Sequence, residues 1–329
     1  MINELLKTKK ELRFKNGKLK IAMFSDLHGC TNYDPKLKRN LDAAIEKIKP
    51  DIVLLGGDII GGNDGCATLD ELRTYLSEIT EVLEKNNIPW AHVYGNHDRE
   101  SFPNAVQQEI YESFPNCVSK AGPEDLDGTG NYFLPVKATE GDEVIFGIWG
   151  LDSHSGIGDR HPNLKQSEVI LPNNFGCTFY DHAGPDQVTW YYDSSKALES
   201  HFGRKIPSLM YFHIPIPEYL LITRNPERTG MVGEQRETVA CCEFNYGLFS
   251  AALLRADVKA IFCGHEHIND FCGEYCGIKL GYDGGMGYNT YWNADMLGGR
   301  VFEIDEKDPW NINTYMFKMT EIFSESELK

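Results

Sequence analysis

Three short apolar segments alternate with two amphipathic ones through the first hundred residues, and this alternation narrows the fold more than any other feature. Residues 19–24, 52–55 and 90–95 read as buried strands. Between them Leu37, Leu41, Ala44, Ile45 and Ile48, then Leu69, Leu72, Leu76, Ile79 and Leu83, recur at helical spacing. Such an order predicts a parallel sheet with right-handed crossovers. Each strand then runs into polar residues: Ser25-Asp26-Leu27-His28, Gly56-Gly57-Asp58 and Gly95-Asn96-His97-Asp98. In open α/β sheets, ligands and catalytic groups gather at such carboxyl ends.

The flanking regions are read the same way. Asn16-Gly17 predicts a two-residue hairpin joining residues 12–14 to residues 19–24. From 101 to 143 the pattern weakens, with one helix expected over residues 104–114. A strand over 144–150 leads to a long polar stretch, 156–181, of the kind that forms functional loops. A helix over 185–202 precedes a strand at 209–212 that ends in His213. A helix over 244–255 then leads to a strand at 258–263 that ends in Gly264-His265-Glu266-His267. Late strands are expected at 279–282, 300–304 and 313–318, and the glycine-rich run from Gly281 is read as tight turns between them. Without repeat or linker, residues 1–329 read as one domain.

Five strand ends thus carry nitrogen or oxygen donors: Asp26 and His28, Asp58, Asn96 and His97, His213, and His265 with His267. This donor set suits manganese, iron, cobalt or zinc better than calcium or magnesium. One carboxylate shared by two ions would hold them roughly 3.5–4 Å apart, the spacing of two-metal hydrolysis. Any one of these residues could be a turn cap or a structural histidine. Five of them falling together at strand ends is a different matter.

The ordered set D-x-H (Asp26, His28), G-G-D ending at Asp58, G-N-H-D (Gly95 to Asp98), His213 and G-H-x-H (Gly264 to His267) resembles the calcineurin-like metallophosphoesterase superfamily. FHIPIPEY from Phe212, GHEHINDFCG and GGRVFEI look like its intracellular, purple-acid-phosphatase-like branch. The resemblance implies an α/β fold, a four-layer sandwich of two mixed sheets flanked by helices, with the site on loops at one edge. By position, Asp26, His28 and His267 would hold one metal, Asn96, His213 and His265 the other, and Asp58 would bridge them. The implied cofactors are two divalent or mixed-valence transition metals, with a water or hydroxide between them attacking phosphorus in line. His97 would stabilise the phosphoryl charge or protonate the leaving oxygen, and Asp98 would orient its ring. Purple acid phosphatases carry an iron-binding tyrosine three residues after the bridging aspartate. Here that position is Gly61, so no tyrosinate absorption band is expected.

Composition sets bounds on partners and compartment. With 32 Lys+Arg against 49 Asp+Glu, the net charge of −17 disfavours long nucleic acids. The substrate expected is a phosphorylated small molecule or phosphoprotein, with phosphomonoesters preferred. A phosphodiesterase acting on small diesters or nucleotides would use the same metals. A non-catalytic metal-binding scaffold is the third reading, but such scaffolds lose ligands and every position here is filled. No apolar run reaches the roughly 20 residues of a membrane span, and the amino terminus lacks a signal-peptide pattern, so no membrane and a cytoplasmic location are expected. Nine scattered cysteines, an odd number, predict reduced thiols rather than a disulfide framework. Arg99, Arg160, His161 and His154 are read as lying outside the site.

Overall fold

The computed structural model describes residues 2–63, 65–161, 163 and 180–329. Its strands are β1 (Leu12–Arg13), β2 (Lys18–Phe24), β3 (Ile52–Leu55), β4 (Trp90–His92), β5 (Tyr132–Lys137) and β6 (Val144–Gly150), followed by β7 (Ser208–Tyr211) and β8 (Val258–Cys263). After these come β9 (Cys272–Tyr275), β10 (Ile278–Tyr282), β11 (Gly298–Asp305) and β12 (Asp308–Lys318). Among the described residues they form two sheets, ordered β12-β11-β2-β3-β4 and β1-β5-β6-β7-β8-β10-β9. Both sheets are mixed. Strands β2, β3 and β4 pair in parallel, as do β6, β7 and β8, whereas β11 runs antiparallel to β2 and to β12.

Period-two alternation explains why the sheets stack face to face. Ile21, Met23, Ile52 and Leu54 point into a central layer that they share with Leu209, Tyr211, Ala260 and Phe262 of the other sheet. Their neighbours Ala22, Phe24, Val53 and Leu55 pack outward, against the helices Lys36–Ile48 and Leu69–Ile79. On the opposite side Met210, Ile261 and Cys263 meet residues of the helices Pro185–Phe202 and Leu248–Arg255. This is the expected four-layer arrangement of helices, sheet, sheet and helices. The helix Leu69–Ile79 starts in a capping box, with Thr68 accepting from Glu71 N and the Glu71 side chain returning to Thr68 N. Leu69 does not join its apolar face and is 38% exposed.

Three local expectations change. Asn16 and Gly17 do make a tight left-handed turn, and Lys15 bridges Lys18, but the two arms do not form a hairpin. β1 leaves to pair with β5 in one sheet while β2 joins the other. β5 itself was not legible, because Pro135 speaks against a ladder position. Its neighbour β1 reaches only Val136 and Lys137, so Pro135 lies beyond the end of that pairing. The cysteine expectation also fails for one pair: Cys30 and Cys66, 36 residues apart, form a disulfide. They lie in the loops that follow β2 and β3, where a parallel bridge between Gly29 and Ile60 carries the pairing of those strands onward and draws the two loops together. The polar stretch 156–181 falls largely outside the described residues.

Candidate metal centre

Parallel pairing puts the carboxyl ends of β2, β3 and β4 on one edge, facing those of β7 and β8. There the expected residues converge into two buried groups, Asp26 with His28 and His267, and Asp58 with His213 and His265. Within each group the candidate ligand atoms lie within 4.8 Å of one another. Asp26, His28, Asp58 and His265 all adopt left-handed backbone, with φ of 56°, 46°, 49° and 80°. Such a conformation costs a non-glycine residue on the order of 1–3 kcal/mol, so it persists only where the surroundings impose it.

The motif glycines serve close approach. A Cβ on Gly95 would lie 2.1 Å from Asp58 Oδ1, and one on Gly57 would lie 2.7 Å from His213 Nδ1. Gly61, with φ of 88°, has no room for a side chain either, since a Cβ would come within 2.4 Å of the His97 carbonyl. Its own carbonyl instead faces His28 Nδ1 at 3.3 Å.

Each carboxylate is anchored chiefly through one oxygen and turns the other toward the histidines. Asp26 Oδ2 accepts from the Ser25 hydroxyl and from His265 N, leaving Oδ1 at 3.4 Å from His267 Nε2 and 3.9 Å from both His28 and His213 Nε2. Asp58 Oδ1 accepts from His97 N, and Oδ2 lies 3.0 Å from His213 Nε2 and 3.7 Å from His28 Nε2. Three imidazoles are fixed in the same sense. Nδ1 of His28, His213 and His267 faces the carbonyls of Gly61, Gly56 and Tyr291, at 3.3, 2.9 and 2.8 Å. That places the proton on Nδ1 and turns Nε2 inward, the arrangement that orients metal-bound histidines.

The centre carries donors without protein partners, which is what a cation would satisfy. His28 and His267 face each other Nε2 to Nε2 at 3.1 Å. His213 Nε2 has no well-aligned hydrogen bond despite its nearness to Asp58, and the buried Asn96 Oδ1 has no partner at all. Burial lowers His28 to about 4 and His265 to about 3, so both rings are neutral donors at neutral pH. Burial, the largest effect, raises Asp26, but the charge and hydrogen bonding of His267 and the charge of His213 together outweigh it and hold the carboxyl at about 2. Burial opposes the charged form of Asp58 too, and His213 overrides it, keeping Asp58 well below the usual carboxylate range. In return Asp58 outweighs the lowering effect of burial on His213 and holds that imidazole up at about 10. Carboxylates, imidazole nitrogens, two of which would give up a proton to a bound ion, and an amide oxygen fit borderline divalent ions.

His97 stands at the rim, its ring centroid 5.3 Å from that of His28. The expectation that Asp98 orients this ring does not hold. Asp98 is buried, and its two oxygens accept the backbone N–H groups of Asp58, Ile59, Ile60 and Gly95. Burial, and then the negative charge of Asp58, push its carboxyl up to about 7. Glu100 does what Asp98 was expected to do. Its Oε1 lies 2.7 Å from His97 Nδ1, and its Oε2 accepts from Gly62 N. Its place three residues after His97 is the signal that could have pointed to it.

Other supporting residues had no signal in the sequence. The Ser25 hydroxyl, which donates to Asp26, also faces Asp283 Oδ1 at 2.7 Å, and Gly285 N and Gly287 N donate to the carbonyls of His267 and Asp26. The glycine-rich run is therefore a buttress behind two candidate ligands as well as a turn. Tyr291 stacks on His267, ring centroids 4.1 Å apart, and Tyr180 meets His265 edge-on. Outside the centre, His154 Nε2 bonds Gln187, Arg160 pairs with Asp181, and His161 faces the Tyr246 hydroxyl.

Comparison with known proteins agrees with this geometry. The family model for calcineurin-like phosphoesterases matches residues 19–269. The Arabidopsis thaliana protein named "Probable inactive purple acid phosphatase 14" is 31% identical over 317 residues, spanning 86% of this chain and 74% of that one. "Phosphatase DCR2" of Saccharomyces cerevisiae is 29% identical over 285 residues, 78% of this chain and 45% of the yeast protein. Among solved structures, a dimetal phosphatase from Danio rerio superposes with a TM-score of 0.56 at 14% identity, covering 91% of this chain and 99% of that one.

Proposed function

We propose that this chain, which belongs to the calcineurin-like phosphoesterase family and so hydrolyses phosphoric esters, is a two-metal phosphomonoesterase acting on a phosphorylated small molecule or phosphoprotein. The observation that carries the reading is the pair of complete Asp/His groups whose free donor atoms all turn toward one centre. Asp26, His28 and His267 would hold one ion, and His213, His265 and Asn96 the other. Asp58 would be shared, since its free oxygen lies between a ring of each group. When bound, the ions would supply positive charge to the phosphoryl oxygens and lower the pKa of the attacking water.

The chain's own residues do the rest. Glu100 accepts the Nδ1 proton of His97 and fixes the ring's orientation, so that Nε2 is the nitrogen turned to give a proton to the departing oxygen. Asp98 fixes the loop that presents Asp58. Three relatives carry "probable inactive" in their names. This chain has a candidate ligand at every expected position, which supports activity. Monoester preference draws on the phosphatase names of its relatives, and a small-diester phosphodiesterase remains the second reading.

Among the described residues no helix is long and apolar enough to cross a membrane. The Cys30–Cys66 bridge supports an oxidising compartment over the cytoplasmic one expected, because such bonds persist where thiols are not kept reduced.

Metal analysis with rates on nitrophenyl phosphate and bis-nitrophenyl phosphate, across added manganese, iron, zinc and cobalt, tests the reading. Two ions per chain and faster monoester turnover are expected, and a faster diester rate overturns it. For the proton donor, His97→Ala should keep both ions and lose more rate on alkyl than on nitrophenyl phosphate, by up to about 10²–10⁴-fold. Equal losses would assign His97 to charge stabilisation instead.

A further inference from the structure

Resting on the hydrolytic reading, we propose that the cleft over the metal centre selects phosphate esters whose alcohol part is cationic and turns away those carrying a second anion. The cleft, about 530 Å3, has His28, Asp58, His265 and His267 at its floor and Glu237 and Tyr291 in its wall. Among the described residues that line it there is no lysine or arginine. A phosphate dianion is met by the centre itself, so what the wall meets is the group attached to the phosphate.

That wall is held in place and its charge is negative. Glu237 accepts from Ile268 N at 3.0 Å and from the Tyr291 hydroxyl at 2.9 Å. Tyr291 lies flat on His267 and still leaves 47% of its surface exposed. Tyr180 lines the same cleft. The adjacent cation, Arg236, is drawn into a bidentate pair with Asp295, at 3.0 and 2.6 Å, and a bond to Glu234. An ammonium group entering with the ester gains from the Glu237 carboxylate and the tyrosine faces. A sulfonate or second phosphate meets the same carboxylate with the opposite sign, and the net charge of −17 adds to the effect at longer range. One charge near a partly buried carboxylate changes binding by about tenfold or more.

The test uses non-hydrolysable two-carbon phosphonates bound to the full-length, manganese-loaded protein and measured by calorimetry. The expected order is 2-aminoethylphosphonate tightest, then ethylphosphonate, then 2-sulfoethylphosphonate, with about tenfold or more between the first and the last. Glu237→Gln, which keeps the shape, should narrow that ratio by about tenfold. Equal binding of the three, the reverse order, or an unchanged ratio in Glu237→Gln overturns the inference. Nitrophenyl phosphate turnover is measured on the same preparation. The expected order without turnover leaves the selective cleft standing and removes the hydrolytic reading. Turnover with none of the phosphonates bound does the opposite.

Discussion

Replacing Asp98 by asparagine separates a residue that holds the site together from one that takes part in proton transfer. The side chain is fully buried. Its Oδ2 accepts from Asp58 N at 2.9 Å and Gly95 N at 2.7 Å, and its Oδ1 from Ile59 N at 2.9 Å and Ile60 N at 3.0 Å. An asparagine oxygen can keep one of these pairs, but its amide nitrogen then faces two donors with nothing to accept them. Leaving a buried donor unpaired costs about 1–3 kcal/mol, and hydrogen bonds to the ionised carboxylate, the form that prevails above about pH 7, are at the strong end of the scale. Two such donors therefore cost on the order of 3–6 kcal/mol, against a total stability of about 5–15 kcal/mol. The melting temperature of a chain of 329 residues should fall by roughly 4–9 °C. Because the freed donors belong to the loop carrying Asp58, metal content should fall as well. Thermal unfolding followed by circular dichroism, with metal analysis of the same sample, measures both. A variant that melts with the wild type, holds both ions and loses only rate would refute this account and return Asp98 to the role of orienting His97.

Glu100→Gln should do the reverse, keeping stability and metals while losing about tenfold or more in rate on alkyl phosphates; a wild-type rate there would remove Glu100 as the partner of His97. Asp58→Asn is expected to lose bound metal and more than about 100-fold in rate, and a variant with full metal content would contradict its place in the centre. Burial lowers the imidazole of His92, which is stacked on Tyr111 and is not a candidate ligand, to about 3. Its stabilising contribution is thus complete above the unfolded value near 6.5 and is lost as pH falls toward 3. At pH 5 this single group should cost about 2 kcal/mol, and His92→Phe should flatten that part of the pH–stability curve in denaturant titrations. Thiol titration of the denatured protein should find two fewer thiols before reduction than after it, and Cys30→Ser should abolish the difference.

The sequence by itself determined the layers and the candidate ligands, because both are written locally. Continuous apolar runs such as residues 52–55 are buried on both faces, and helical spacing such as Leu37, Leu41 and Ile45 has one direction to face. Asp26, Asp58, Asn96, His213 and His265 lie in the short segments that follow β2, β3, β4, β7 and β8, so parallel pairing of neighbouring strands was enough to bring them to one edge. Tertiary structure decided what depends on partners distant in the chain. The arms of the Asn16-Gly17 turn separate because β1 finds a better partner in β5 than in β2, and no local signal encodes that competition. Cys30 meets Cys66, and Ser25 meets Asp283, only once the strands have taken their register. The exchange of roles between Asp98 and Glu100 has the same cause. Four backbone N–H groups from two loops converge where Asp98 is buried, and a buried carboxylate goes to the donors that would otherwise be unpaired. That leaves the ring of His97 to the carboxylate that is still exposed.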